Sequence, residues 1–320
     1  MKIISQKSIR NLSITPMQCI DWIYESFASK KEAQLPAKVP VHPRDSEFFT
    51  SMPCLLPVDK KTGNRYFGVK VVHRIEGAVP SLGSDILLYD ANNGELLALV
   101  DGDWITAMRT GAVAAAAAKA LRRSNSSCYG ILGLGNTARA TMLCVLGGEP
   151  QKKFHVKLLR YKNQAEQFVE RFKDCSNVSF DIVDDVKDIA MSVDVLFSCV
   201  TCADSFIVED EKIFPKGITI IPIHTKGFQN CDTTFDRVFG DDTEHVKNFR
   251  YFKQFKEYNE IGEVFAGKDP GRTSDEQRIL NYNYGLGLHD VVYASKIYEM
   301  TKDMDSPEVE IVKETEKFWL

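Results

Sequence analysis

Two stretches of this chain have the residue types and spacing to hold a dinucleotide and to move a proton. In the run Cys128-Tyr-Gly-Ile-Leu-Gly-Leu-Gly-Asn-Thr-Ala-Arg139, an apolar segment breaks at Gly133-x-Gly135-x-x-Ala138 and passes into a helical pattern through Met142, Leu143 and Val145. Gly133 lets the chain turn sharply off a strand, Gly135 lets backbone approach a pyrophosphate, and Ala138 lets the new helix pack on that strand. The first helical N–H groups, around Asn136 and Thr137, then face phosphate oxygens. Taken alone, the pattern also fits an ordinary glycine-rich turn. A second strand pattern, His155 to Leu159, ends at Arg160-Tyr161-Lys162, where a carboxylate ordinarily grips the adenosine ribose. Arg160 and Lys162 offer cations to a 2′-phosphate instead, so the cofactor is expected to be NADP(H) or NAD(H), with NADP(H) slightly preferred. Both cations also fit solvated strand-end charges. The other stretch is Phe67 to Val72, which carries Lys70 among apolar residues. An ammonium there requires a specific partner, and its altered basicity would suit proton transfer.

Cys199-Val-Thr-Cys202 has redox-pair or half-zinc-site spacing, but no second pair or nearby histidine completes it, so it reads as packing and no metal is expected. The chain has 320 residues, 44% of them hydrophobic and 26% charged, enough for two cored domains. A formal net charge of -4 with dispersed basic residues excludes the electrostatic footprint of a nucleic-acid binder. The N-terminus is too polar for a signal sequence, and no apolar run nears the roughly 20 residues of a membrane helix. A cytoplasmic protein with no membrane partner is expected, its cysteines reduced core residues.

The elements that must position these groups follow from periodicity. A helix is expected over residues 12 to 30, then an extended stretch from Pro36 to Pro43. Strands are predicted at Tyr66 to Val72, Ile86 to Tyr89 and Leu97 to Val100, and an alanine-rich helix from Gly111 to Leu121 is expected to bridge two domains. From Cys128 the order becomes strand, helix, strand. Strands are predicted at Tyr129 to Leu134, His155 to Leu159, Ser179 to Val183, Val193 to Val200 and Ile218 to Ile223, with helices to Leu146 and from Ala165 to Phe172. Asn281 to Tyr298 reads as a glycine-rich turn followed by a helix. The expected fold class is α/β: a Rossmann-type doubly wound parallel sheet (residues 116–294) plus an α+β domain (1–115, with 295–320 returning to it).

Four further pieces sharpen this reading: Pro43-Arg44 near Met52-Pro53; Phe67-Gly-Val-Lys70; Leu99-Val-Asp-Gly-Asp-Trp-Ile-Thr106-Ala-Met-Arg109-Thr110-Gly; and Gly262-Glu-Val-Phe-Ala-Gly-Lys-Asp-Pro-Gly-Arg272. Together with the nucleotide turn, they resemble the ornithine cyclodeaminase/mu-crystallin family from about residue 36 to about 298. The resemblance implies a homodimer formed through the first domain's sheet, and a small amino or imino acid held against the nicotinamide in an interdomain cleft. It implies that Arg44, Lys70 and Arg109 hold the substrate carboxylate, consistent with the bidentate grip a guanidinium offers. It places Thr201, the turn His224-Thr225, Gly285 and Asp290 in the nicotinamide neighbourhood, with Thr110 also by the cofactor, although Thr201 and Asp290 equally fit strand-end and capping roles and His224 equally fits a structural one. Cyclodeaminases of the family carry an aspartate where this chain has Thr225. That departure weakens ornithine cyclodeamination and favours reduction of an imine or ketimine of a small amino acid, with Lys70, His224 or Thr225 as the catalytic groups. Ornithine cyclodeaminase, with Asp232 or Asp241 replacing the missing carboxylate, and a cofactor-dependent binding protein like mu-crystallin are the alternatives. His73 fits either the cleft or plain packing.

Overall fold

The computed structural model describes residues 1–201 and 203–311. Cys202 and the tail to Leu320 lie outside them, and with them half of the Cys199/Cys202 pair and the end of the expected returning segment. The described chain forms two compact units, one of residues 1–14, 29–106 and 287 onward, the other of residues 15–28 and 107–286. The boundaries differ from the expected ones. The alanine-rich helix changes unit at Thr106 rather than after residue 115, and the first long helix belongs with the nucleotide unit.

The first unit is a six-stranded sheet built from β1 (Lys2–Ile4), β2 (Val39–Val41), β3 (Phe48–Leu55), β4 (Tyr66–Arg74), β5 (Leu82–Asp90) and β6 (Leu96–Asp101). Its order is β1-β6-β5-β4-β3-β2, antiparallel except where β1 joins β6. Helix α1 (Gln6–Asn11) follows β1. Strand β2, inside the Pro36 to Pro43 stretch, holds the sheet edge, where Pro40 is tolerated. Cross-strand register lines up Met52, Lys70, Ile86 and Val100 in one buried row, and Cys54, Gly68, Leu88 and Ala98 in the next. The unit's last helix, residues Gly287–Thr301, packs on this face. A Cβ at Gly68 would lie 2.8 Å from Val291 Cγ2, and one at Gly287 would lie 3.0 Å from the Met52 carbonyl. Two missing side chains thus let helix and sheet approach closely.

The second unit is an eight-stranded, all-parallel sheet. Helices α2 (Pro16–Ser29) and α3 (Asp103–Leu121) precede β7 (Cys128–Leu132), α4 (Asn136–Gly148), β8 (Phe154–Leu159), α5 (Gln164–Arg171), β9 (Val178–Val183), α6 (Val186–Ala190), β10 (Val195–Ser198) and β11 (Thr219–Pro222). After these come β12 (Arg237–Gly240), α7 (Thr243–Val246), β13 (Tyr258–Glu260), α8 (Ile261–Phe265) and β14 (Ile279–Tyr282), and the chain then enters α9 (Gly287–Thr301). The spatial order β9-β8-β7-β10-β11-β14 is that of a doubly wound nucleotide fold, with β12 and β13 appended at one edge. Short, wholly buried strands such as Val195–Ser198 suit a sheet covered on both faces. The Asp103-Trp-Ile-Thr106 lead-in is the first turn of α3 itself. The helix expected over residues 12 to 30 is α2, which starts four residues later than expected, after the break from α1 at Ser13, whose φ is 51°.

Candidate active site

Lys70 is fully buried at the centre of β4, and its Nζ lies 2.7 Å from Asp290 Oδ2, also fully buried. It further donates to Thr106 Oγ1 at 3.5 Å, and Thr106 Oγ1 sits 2.8 Å from Ser84 Oγ. The Ser84 N–H donates to Asp103 Oδ1 at 2.7 Å, which fixes the start of α3 against β5. Burial pushes Asp103 above the ordinary carboxyl range. It also pushes the thiol of Cys54, one row from Lys70, up to about 12, with the Asp290 charge acting in the same direction, so Cys54 stays neutral. A charged partner is what the ammonium of Lys70 requires in this apolar row.

The other groups of this unit are placed differently. Arg44 is largely solvent-exposed, and its Nε donates to Glu47 Oε2 at 2.8 Å. The almost wholly buried Glu47 also accepts from the Glu76 N–H, at 3.1 Å. His73 packs between its cross-strand neighbours Gly83 and Phe49, its ring centroid 5.3 Å from that of Phe49. Packing accounts for that histidine.

In the second unit, Gly133 adopts φ 77°, and a Cβ there would lie 2.7 Å from the Val200 nitrogen and 2.8 Å from the Cys199 carbonyl carbon. The ends of β7 and β10 therefore meet at the point where the strand order reverses. Gly135, the N-cap of α4, has an ordinary φ of -77° and no heavy atom within 4 Å of a built Cβ. The protein's own packing does not require glycine at 135; open space in front of Asn136 and Thr137 does suit a phosphate at a helix N-terminus. Ala138 is fully buried. A Cβ at Gly111 would lie 2.5 Å from the Thr141 nitrogen, so α3 crosses α4 one residue after Thr110. A dinucleotide fits this turn. Thr201 is exposed beyond β10, and burial pushes the Cys199 thiol up to about 12.

At the end of β8, Arg160 donates through Nε to Asp184 Oδ1 at 2.8 Å and through Nη1 to Glu166 Oε1. The carboxylate absent from the sequence position is thus supplied in space by the first turn of α5 and the end of β9. Lys162 takes φ 52° and its Nζ lies 5.3 Å from the Tyr161 ring centroid.

The turn after β11 puts Thr225 at φ 68° and Gly227 at φ 90°. Gln229 closes it: its Nε2 donates to the Thr225 carbonyl at 2.5 Å, and its Oε1 accepts from the Gly227 N–H at 2.9 Å. His224 is half-buried there. Asp232 accepts from Tyr282 Oη at 2.5 Å, and burial pushes its carboxyl up to about 7. Asp241 accepts from the Gly285 N–H at 2.5 Å, while the buried Arg109 guanidinium occupies the space a Gly285 side chain would need, at φ 83°. Asp290, placed by the cofactor in the sequence reading, is paired with Lys70. Sequence reasoning passed over Glu166, Asp184, Ser84 and the role of Arg272. The Nε of Arg272 donates to the Leu121 carbonyl at 2.7 Å and its Nη2 to Thr219 Oγ1 at 3.0 Å, which pins the end of α3 to β11. For Glu166 and Asp184, a carboxylate at each of the two element ends flanking a strand-end arginine was the available signal. Among the described residues no cluster could hold a metal ion, and no helix is long and apolar enough to cross a membrane.

The chain is 28% identical to the mouse ketimine reductase mu-crystallin over 229 residues, 69% of this chain and 71% of the relative. Two solved structures share the fold, each with a TM-score of 0.82 and 23% identity. One is Thermococcus litoralis Δ1-pyrroline-2-carboxylate reductase in complex with NADH and L-proline, matched over 97% of this chain and 100% of that one. The other is an archaeal alanine dehydrogenase dimer with bound NAD, matched over 98% and 99%. The model of the ornithine cyclodeaminase/mu-crystallin family matches residues 2–305; this chain belongs to that family.

Proposed function

We propose that this protein is an NAD(P)-dependent oxidoreductase that reduces the imine or ketimine of a small amino acid, or oxidises the amino acid in reverse. The observation that carries the reading is the wholly buried Lys70 ammonium, tied to Asp290 and Thr106. A buried ion pair contributes little net stability compared with apolar residues of similar volume, so its presence argues for chemistry. The reductases among the relatives support the same reaction class.

Gly133, Gly135 and the α4 N–H groups at Asn136, Thr137 and Ala138 would hold the pyrophosphate, with Thr110, Thr201 and Gly285 toward the nicotinamide end. When bound, the cofactor supplies the hydride. Lys70 and Arg44, with Arg109 as a third ligand, bind the substrate carboxylate and so orient the imine carbon. Lys70 or His224 delivers the proton to the imine nitrogen, and the Thr225 hydroxyl assists. Because Arg160 already holds two carboxylates, a 2′-phosphate would approach a compensated charge, which favours NAD(H) over the NADP(H) expected from sequence. A homodimer through the first unit's sheet is part of the proposal, supported by the exposed Val39 and Val41 on edge strand β2.

Ornithine cyclodeamination receives no support from the two candidate replacement carboxylates, since Asp232 is bonded to Tyr282 and Asp241 to Gly285. The test is oxidation of NADH and of NADPH by the purified protein with cyclic imino acids and with pairs of a 2-oxo acid and an amine, beside ammonia release from ornithine. Imine-dependent loss of reduced cofactor is expected. Ammonia and proline without net cofactor change would replace the proposal with the cyclodeaminase, and tight dinucleotide binding without turnover would favour a binding protein.

A further inference from the structure

The surroundings of Lys70 carry an inference that rests on, and deepens, the reductase reading. We propose that Asp290 is a positioning residue for Lys70: from the first turn of α9 it keeps the ammonium charged and, with Thr106 and Ser84, aims it.

A lysine ammonium has three N–H donors. Asp290 takes one at 2.7 Å and Thr106 a second at 3.5 Å, from two separate helices: Asp290 from the first turn of α9, Thr106 from the first turn of α3. Thr106 is itself held by the Ser84 hydroxyl at 2.8 Å, and Ser84 by Asp103 through its backbone N–H. Both anchoring elements are placed by backbone contact. Gly68 and Gly287 let α9 approach β3 and β4 until Asp290 reaches the Lys70 row, and Gly102 leaves no room for a side chain beside the Ser84 hydroxyl, 2.7 Å from its would-be Cβ. The groups in the adjoining rows are Met52 and Cys54 on β3, Ser84 and Ile86 on β5, and Val100 on β6. None of these is charged, the Cys54 thiol staying neutral to about 12, and Asp103 is directed at the Ser84 N–H. On α9 the fully buried His289 precedes Asp290, and the Asp290 carboxylate is the negative charge the structure sets against Lys70, at 2.7 Å. Without it, burial would favour the neutral amine, which neither attracts a carboxylate nor donates a proton to an imine.

The experiment follows the Lys70 side-chain resonance in lysine-labelled full-length protein, assigned with Lys70→Met, through a pH titration. It is compared with the pH dependence of kcat/KM for imine reduction, in wild type, Asp290→Asn and Asp290→Glu. In Asp290→Asn, the Lys70 midpoint is expected to fall by at least one pH unit, and the alkaline limb of kcat/KM to fall with it, while NADH affinity is unchanged. Asp290→Glu keeps the charge and moves the ammonium, so the midpoint should stay within half a unit while kcat falls about tenfold. An unmoved midpoint in Asp290→Asn, or a moved midpoint with an unmoved kinetic limb, overturns the proposal. A carboxylate that merely supports the fold would lower activity evenly across pH. If Asp290→Asn fails to fold, Asp290→Glu and Thr106→Val still decide the aiming role through kcat. Absence of imine turnover in the wild type sinks the reductase reading alone, because the Lys70 midpoint still reports whether Asp290 holds its charge.

Discussion

Gly133 and Gly135 stand two residues apart in one turn, yet different demands exclude a side chain from each. At Gly133 the exclusion comes from φ 77° and the backbone of Cys199 and Val200, so Gly133→Ala should cost about 1–3 kcal/mol of stability, read as a lowered Tm. At Gly135 the space is open and φ is ordinary. Gly135→Ala should leave Tm unchanged within about a degree while weakening dinucleotide affinity about tenfold or more, measured by titration with NADH. Equal effects on both readouts would mean that the open space is not where phosphate binds. At the end of β8, neutralising the partners of Arg160 in the double variant Glu166→Gln/Asp184→Asn should raise the ratio of NADPH to NADH affinity about tenfold, since a guanidinium freed of two carboxylates can take a phosphate. An unchanged ratio would show that Arg160 does not face the ribose. A different residue reports on pH. Burial raises the Asp232 carboxyl from its ordinary range to about 7, so between about pH 4 and 7 the folded state holds a proton that the unfolded state has lost. Its contribution is complete below the unfolded value and is lost as pH rises through 7, at up to about 1.4 kcal/mol per unit. Asp232→Asn should abolish that slope in denaturant melts.

Helix α9 shows how an element carries a site. It sits where Gly68 meets Val291, and Gly68→Ala should push it off β4, costing about 1–3 kcal/mol and lowering kcat more than it changes NADH affinity, because Asp290 moves with the helix. At this scale most of the nucleotide unit was legible in the sequence. The strands at 128–132, 154–159, 178–183, 195–198 and 219–222 are short apolar runs bounded by turns, and the structure places them within a residue or two of expectation. Strands β12, β13 and β14 were not separable from their surroundings, since Arg237-Val-Phe-Gly and Tyr258-Asn-Glu carry no alternation and take their conformation from parallel neighbours. Strand β3 was hidden by Pro53. For the site, Lys70 announced itself as a cation in an apolar run, but its partner could not be read, because Asp290 reaches it only through the packing of α9. Arg160 was legible as a charge and misleading as an isolated one.

For the whole molecule, a dinucleotide bound at 100 times its Kd should add about 2.7 kcal/mol to the stability of the folded state, measured as a rise in Tm with NADH. No rise at saturating NADH would contradict binding at the Gly133 turn. The first unit is assembled from both ends of the described chain. The Lys2 ammonium caps the carbonyls of Thr301 at 2.9 Å, Lys302 at 2.5 Å and Met304 at 3.0 Å, at the end of α9, and the Ile3 N–H donates to the Pro307 carbonyl at 2.9 Å. Lys70 emerges from the ribosome long before Asp290, with the entire nucleotide sheet translated between them. During synthesis all the strands of the second unit are made while β1 to β6 still wait for α9, with the Lys70 ammonium in their middle row and its carboxylate partner not yet translated. A nascent chain halted before residue 287 should therefore leave the first unit's sheet unfinished, which makes Asp290 a checkpoint that the chain passes only once α9 has been made.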